Sequence, residues 1–428
     1  MALSQMGGRR TLIRAGLVVD SEGCRAGPGA VLMDGPRIGA AGAPAAIGRP
    51  SGARTVDLPD AVVLPGLVNV HCHLDLSHIG PVPFGGDFVD WIDQVRLKRA
   101  GDDQAIAASV RRGIDLARAG GTALVGDIAG AGSLIPIREL RAAGLAGVSF
   151  LEVFGVGRRQ GNAIRALTEA VKFESNRDGS QDGLRLGAGP HAPYSCGIDV
   201  YRAAAELGVP VATHLAESLE ELQFIRAAEG PLAGLMKSLG VWDETIYPHH
   251  AHPIDYLADA LRATPFIAAH LNYVEDRHLE LLADWRTTVA YCPRASAYFG
   301  HPQPGRSPHR YRQMLEAGVN VALGTDSLIC LDTPDRISVL DEMRLLYRRD
   351  GTDPMTLLRM ATTAGAVALG ADPSLVTLAP GPTAGLLAAT FDRRNPVDPL
   401  RQVLQRDDPV RWIVAPVPAG ESLTGPTT

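Results

Sequence analysis

From residue 62 onward, strand-like apolar runs alternate with helix-like amphipathic stretches, and this alternation limits the fold more than any other feature of the 428-residue chain. The strand-like runs are Val62–His73, Thr122–Ile128, Gly147–Phe154, Leu184–His191, Val209–His214, Phe266–His270, Thr288–Cys292 and Val319–Thr325. Between them lie Ile106–Ala119, Gly161–Glu174, Val200–Leu207, Leu219–Ala228 and His309–Ala317, several closed by a glycine such as Gly208 or Gly318. Repeated βα units predict a parallel sheet. Eight of them close into a (β/α)8 TIM-like barrel with its chemistry at the C-terminal strand ends.

The flanks follow another rhythm. Short strands at Leu12–Val19 and Gly29–Met33 precede an Asp34-Gly35 hairpin signal. A helix is expected from Asp353 to about Leu369, followed by short strands at Ala384–Ala389 and Trp412–Val414. Residues 1–62 and 373–428 are therefore expected to form one small β-sandwich, interrupted by the barrel at 63–372.

The strand ends carry the chemistry. Strand one ends in His71-x-His73, strand five in His214-x-x-Glu217, strand six in His270 and strand eight in Asp326. Residues i and i+2 of a strand share a face, so His71 and His73 project together. Alone, that pair fits a polar core equally well. His214 and Glu217 alone also have ordinary structural readings, and Asp326 alone is a common N-cap. Their joint position over one barrel mouth points instead to a first shell for a single divalent metal, Zn²⁺ or Fe²⁺, built from His71, His73, His214 and Asp326. Such an ion lowers the pKa of bound water to about 7. Glu217 is placed to act as general acid and proton shuttle. Asp326 can accept the water's proton, and His270 can stabilise the adduct. His191, at the end of strand four, is expected to touch substrate. His249, His250 and His252 read as a mobile or solvated loop, and His301 and His309 as loop residues or mouth lining.

Composition narrows the class. The net charge of −6 comes without a basic patch interleaved with aromatics, so nucleic acid is not an expected partner. Five scattered cysteines without CxxC spacing suit a reduced, cytoplasmic setting. No uninterrupted apolar stretch is long enough for a membrane span, and Met1–Arg10 lacks the apolar core of a leader.

Taken together, the stretches PGLVNVHCHLDLS, GPHAPYS, THLAES, AHLN, CPRASAYFG, ALGTDS and LLRMATTAGAVALG resemble the amidohydrolase superfamily, in its deaminase and chlorohydrolase branch. The resemblance covers residues from about 11 to 390 and implies the barrel and the roles given above. It also implies one metal, because the ends of strands three and four hold Glu152 and His191 and no lysine. The segment from Pro83 through Trp91 and Arg96 resembles the substrate loop of adenosine-type deaminases, where Trp91 would either stack on a purine or serve as a helix-face core residue. Glu152 and His191 join it as expected substrate contacts.

Most of all the chain resembles the aminodeoxyfutalosine deaminases. The resemblance implies hydrolytic deamination of an adenine-type nucleoside, a small heteroaromatic substrate. Metal hydroxide would attack the amino-bearing ring carbon and ammonia would leave. A homodimer is also implied. The alternatives are a chlorohydrolase or N-alkylamine hydrolase of a triazine-like ring, or a cyclic amidohydrolase. A more distant one is an inactive barrel serving as a binding subunit. Cys72, Asp75 and Gly381–Gly385 depart from the pattern of that group.

Overall fold

The structure is a computed structural model describing residues 10–130, 132–176 and 183–416. Residues 1–9, at the start of the first flanking segment, and 417–428, at the end of the second, lie outside the described residues. The barrel strands are β1 (Leu67–His73), β2 (Thr122–Ala129), β3 (Ala146–Val153), β4 (Leu184–Pro190), β5 (Val211–Leu215), β6 (Phe266–His270), β7 (Thr288–Tyr291) and β8. The last is broken into Val321–Leu323, paired with β7, and Asp326–Ser327, paired with β1. Every pairing in this sheet is parallel, and the broken strand joins its two edges. The result is a curled parallel sheet of nine segments inside a mixed α/β fold, consistent with a TIM-like barrel.

A second sheet draws strands from both flanks. Thr11–Val19 pairs with Gly29–Asp34 on one side and in parallel with Arg54–Pro65 on the other; Leu386–Thr390 and then Arg411–Val414 continue the sheet. The Asp34-Gly35 signal is a hairpin turn, with Asp34 opposite Arg37. Among the described residues no helix is long and apolar enough to cross a membrane.

The single run expected from Val62 to His73 proves to be two strands in two sheets. Arg54–Pro65 belongs to the second sheet and β1 starts at Leu67. Pro65 has no N–H to continue a ladder, and Gly66 crosses where a Cβ would lie 2.6 Å from the Ala123 Cβ and 3.2 Å from the Trp412 ring. Gly66→Val is therefore expected to destabilise the protein by about 1–3 kcal/mol, read as a lower urea midpoint.

The helix expected from Asp353 to Leu369 is also divided, into Pro354–Met360 and Thr363–Ala368. The carbonyl of Ala361 accepts from the Val68 N–H of β1 at 2.8 Å, so the chain leaves helical geometry at Thr362 (φ −133°, ψ −95°). The second piece lies against the barrel interior. Ala364, Ala366 and Leu369 share a core cluster with Val68, Val70, Phe150, Ala212 and Ala269.

A bulge in β1 aims the histidines. Val68 and Val70 face the barrel interior, so simple alternation would send His71 and His73 outward. The β1–β2 register shifts between Asn69 and Cys72. Cys72 consequently joins Leu74 in the outer core, and the two histidines meet His214 over the barrel mouth.

Candidate active site

His71, His73 and His214 converge from β1 and β5, with one ligand-capable atom of each lying within 4.8 Å of the others. His73 Nε2 is 3.3 Å from His214 Nε2 and 3.5 Å from Asp326 Oδ1. His214 donates its Nδ1–H to the His191 carbonyl at 2.9 Å, which leaves the Nε2 lone pair facing the cluster. Both nitrogens of His71 and Nδ1 of His73 are buried without a hydrogen-bond partner. Burial, reinforced by neighbouring imidazoles, holds His71 and His73 well below the usual histidine range, and burial takes His214 down to about 4. Neutral imidazoles with inward lone pairs beside a carboxylate are the donor set a divalent cation requires. Without a cation, these buried polar groups would carry an uncompensated desolvation cost. The residues fit one metal ion.

The backbone at these strand ends is unusual. Ala216, His270, Leu271 and Asp326 all adopt left-handed φ, from 49° to 72°. Non-glycine residues held there cost of order 1–3 kcal/mol each, and such strain concentrates at functional sites. The turn around Ala216 is held by Glu221, whose carboxylate accepts from the N–H groups of Ala216 and Glu217, each at 2.9 Å. From the other side, Asn272 donates to the Glu217 carbonyl at 2.9 Å and accepts from Ser296 at 2.8 Å. Glu221→Ala leaves two buried amides unpaired. The expected loss is about 1–3 kcal/mol of stability, with a larger fractional loss of kcat than of bound metal. Thermal melts and metal analysis on the same preparation separate the two effects.

Glu217 Oε1 lies 3.5 Å from His270 Nε2. Burial first, and then Asp326 and Glu221, push the Glu217 carboxyl well above its ordinary value. Burial likewise raises Asp326 to about 7, opposed by the Ser327 amide, which donates to its Oδ1 at 2.6 Å. Glu217, His270 and Asp326 form a second group whose ligand-capable atoms lie within 4.8 Å of one another.

This constellation opens on a cavity of about 420 Å³. Of the expected substrate contacts, His191, Trp91 and Glu152 all line it. His191 stacks obliquely on Phe154 at 4.6 Å and its Nδ1 meets Ser195 Oγ at 2.6 Å. Trp91 belongs to an aromatic wall, stacked on Phe88 at 6.2 Å and edge-to-face with Phe299 at 4.7 Å. It is thus both a cavity residue and a packing residue.

Glu152 has a partner that the sequence reading missed. Arg99, just beyond the helix Phe88–Lys98, lies 3.5 Å from Glu152 and donates to Asp75 at 3.1 Å while lining the cavity. Burial and the neighbouring acids nevertheless raise Glu152 to about 8, against the pull of Arg99.

Other residues settle differently. Arg294, in the CPRASAYFG stretch, is absent from the cavity lining and is engaged in ion pairs with Glu342 at 2.6 Å and Asp332 at 3.2 Å. His252, expected in a solvated loop, is buried and caps a short helix through the Ile254 N–H. His309 is buried too, its Nε2 donating to the His270 carbonyl at 2.8 Å and its ring stacked on Tyr291 at 3.7 Å.

A 5-methylthioadenosine/S-adenosylhomocysteine deaminase of Pelotomaculum thermopropionicum is 26% identical over 359 residues, covering 79% of this chain and 75% of that one. An aminodeoxyfutalosine deaminase of Deinococcus radiodurans is 29% identical over 366 residues, covering 80% and 82%. The crystal structure of an adenosine deaminase from Xanthomonas campestris with bound zinc superposes with a TM-score of 0.72 at 21% identity, covering 95% of this chain and 92% of that one. The model of the amidohydrolase family matches residues 62–416, and the chain belongs to that family.

Proposed function

We propose that this protein is a metal-dependent hydrolytic deaminase of an adenine-type nucleoside. The observation that carries the reading is the buried carboxyl of Glu217, 3.5 Å from His270 beside the His71–His73–His214–Asp326 donor set and open to one cavity. The names of the two sequence relatives support the substrate class, and the zinc in the structural relative supports zinc as the ion. A cavity of about 420 Å³ falls in the range of roughly 300–1,000 Å³ typical of small-molecule sites.

His71, His73, His214 and Asp326 would hold a divalent ion, which would supply Lewis acidity and a bound water with a pKa of about 7. The chain's own residues do the rest. Glu217, whose carboxyl burial pushes well above its ordinary value, donates its proton to the ring nitrogen adjacent to the amino-bearing carbon. Asp326 takes up the proton released by the attacking water, and His270 hydrogen-bonds the oxygen that adds to the ring. The proton on Asp326 passes to the departing amine, the proton of the added hydroxyl returns to Glu217 as the ring carbonyl forms, and ammonia leaves. His191 contacts the substrate, Trp91 and Phe88 wall the cavity, and the Arg99–Glu152 pair forms its polar side.

On the same reading the substrate is a small heteroaromatic molecule, the protein acts in the cytoplasm without nucleic acid or membrane, and two copies associate. The flanking segments 1–62 and 373–428 are read as one β-sandwich around the barrel at 63–372, supported by the sheet that joins strands from both flanks.

The test is ammonia release, with loss of adenine absorbance, from zinc-loaded protein on adenine nucleosides, pterins, guanine, cytosine and triazines. Turnover of one adenine nucleoside far above the other compounds is expected. Chloride or alkylamine release from a triazine, with no adenine nucleoside consumed, would replace the deaminase reading with a chlorohydrolase-type one.

A further inference from the structure

Tyr194 stands in the turn after β4, three residues beyond His191. Its ring is 3% exposed and packs in an apolar cluster with Val156, Phe224, Leu232 and Met236. It meets His191 edge-to-face at 5.6 Å between ring centroids. Buried tyrosines usually hydrogen-bond through the hydroxyl. Among the described residues this hydroxyl makes no such bond, and it is not one of the sealed, unpartnered polar atoms of the interior. Tyr194 lines the cavity together with His191 and Glu217.

Within the deaminase reading, on which this inference rests, we propose that Tyr194 is a specificity-determining residue whose hydroxyl donates a hydrogen bond to a second ring nitrogen of the substrate. That nitrogen is distinct from the one protonated by Glu217. Burial and the surrounding acids, Glu217 foremost, raise the phenol well above its usual value. It therefore faces a ligand as a neutral donor. Tyr194 meets His191, whose ring centroid lies 4.9 Å from that of His214, so the phenol stands one side chain away from the donor set, at the end of the cavity where the reacting ring must lie. A ring nitrogen is a good in-plane acceptor, and replacing it by C–H removes the bond with little change of shape. Discrimination of this kind arises because the site's buried polar group is left unpaired.

The experiment uses the zinc-loaded full chain and its Tyr194→Phe variant with adenosine, 3-deazaadenosine and 7-deazaadenosine. If another ring is turned over faster by the wild type, that ring and its nitrogen-to-carbon analogues serve as the probes. The wild type is expected to lose about tenfold in kcat/KM on one of the two analogues. Tyr194→Phe is expected to lose about tenfold on the parent compound and to treat that analogue and the parent alike, with bound zinc unchanged. Equal activity of both proteins on every ring would overturn the assignment alone. A uniform loss on all rings with a shifted kcat–pH profile would overturn it too, and would make Tyr194 a positioning residue for Glu217. Absence of turnover by the wild type on every compound would remove the deaminase reading and this assignment together.

Discussion

Replacing Glu217 by glutamine is expected to lower kcat by about two to four orders of magnitude while bound zinc stays at the wild-type level. The amide keeps the size of the acid and can still accept from its surroundings, but it cannot deliver a proton to a ring nitrogen. The backbone of residue 217 is held independently of its side chain, by Glu221 on one side and Asn272 on the other, so the loop should keep its shape. Substrate binding should change little, and the loss should fall on kcat. Metal analysis and steady-state kinetics on one preparation make the comparison. Near-wild-type kcat in the variant would remove Glu217 from the proton path.

The second large effect concerns the donor set. His214→Ala removes one of three imidazoles whose nitrogens crowd within 4.8 Å, and bound zinc is expected to fall from about one equivalent per chain to a small fraction of that. Activity should fall with it, and added zinc should restore it only in part. A ligand that binds only the folded state at 1,000 times its Kd adds about 4 kcal/mol of stability. Chelation should therefore lower the melting temperature of the wild type and hardly affect the variant. Retention of full zinc and an unchanged melt in His214→Ala would take that residue out of the metal site.

How much of this could be read beforehand differs from element to element. The β2 to β7 runs were plain because buried parallel strands are short continuous apolar segments, and their observed limits lie within a few residues of those expected. The convergence of His71, His73, His214, Glu217, His270 and Asp326 was legible because strand ends of one barrel share one mouth. Features that depend on contacts between distant segments were not. Thr362-Thr363 is compatible with a helix, and only the Val68 amide claiming the Ala361 carbonyl breaks it. Arg99 sits in a polar run that reads as a solvated helix end, and only the folded chain sets it against Asp75 and Glu152. The bulge in β1 leaves no compositional mark, although a pattern with Val68 and Val70 inward and His71 and His73 inward as well could have signalled one.

The sheet that joins the two flanks also orders events during synthesis. Arg54–Pro65 finds one neighbour, Thr11–Val19, at once, but its other neighbour is Leu386–Thr390. At about 5–20 residues per second, that second edge waits roughly 15–60 s on the ribosome while the entire barrel emerges. An open edge of this length is a template for association with other chains. The late strand therefore works as a clasp. Locking the finished fold, and ending its period of greatest vulnerability to aggregation, falls to a segment far from the chemistry.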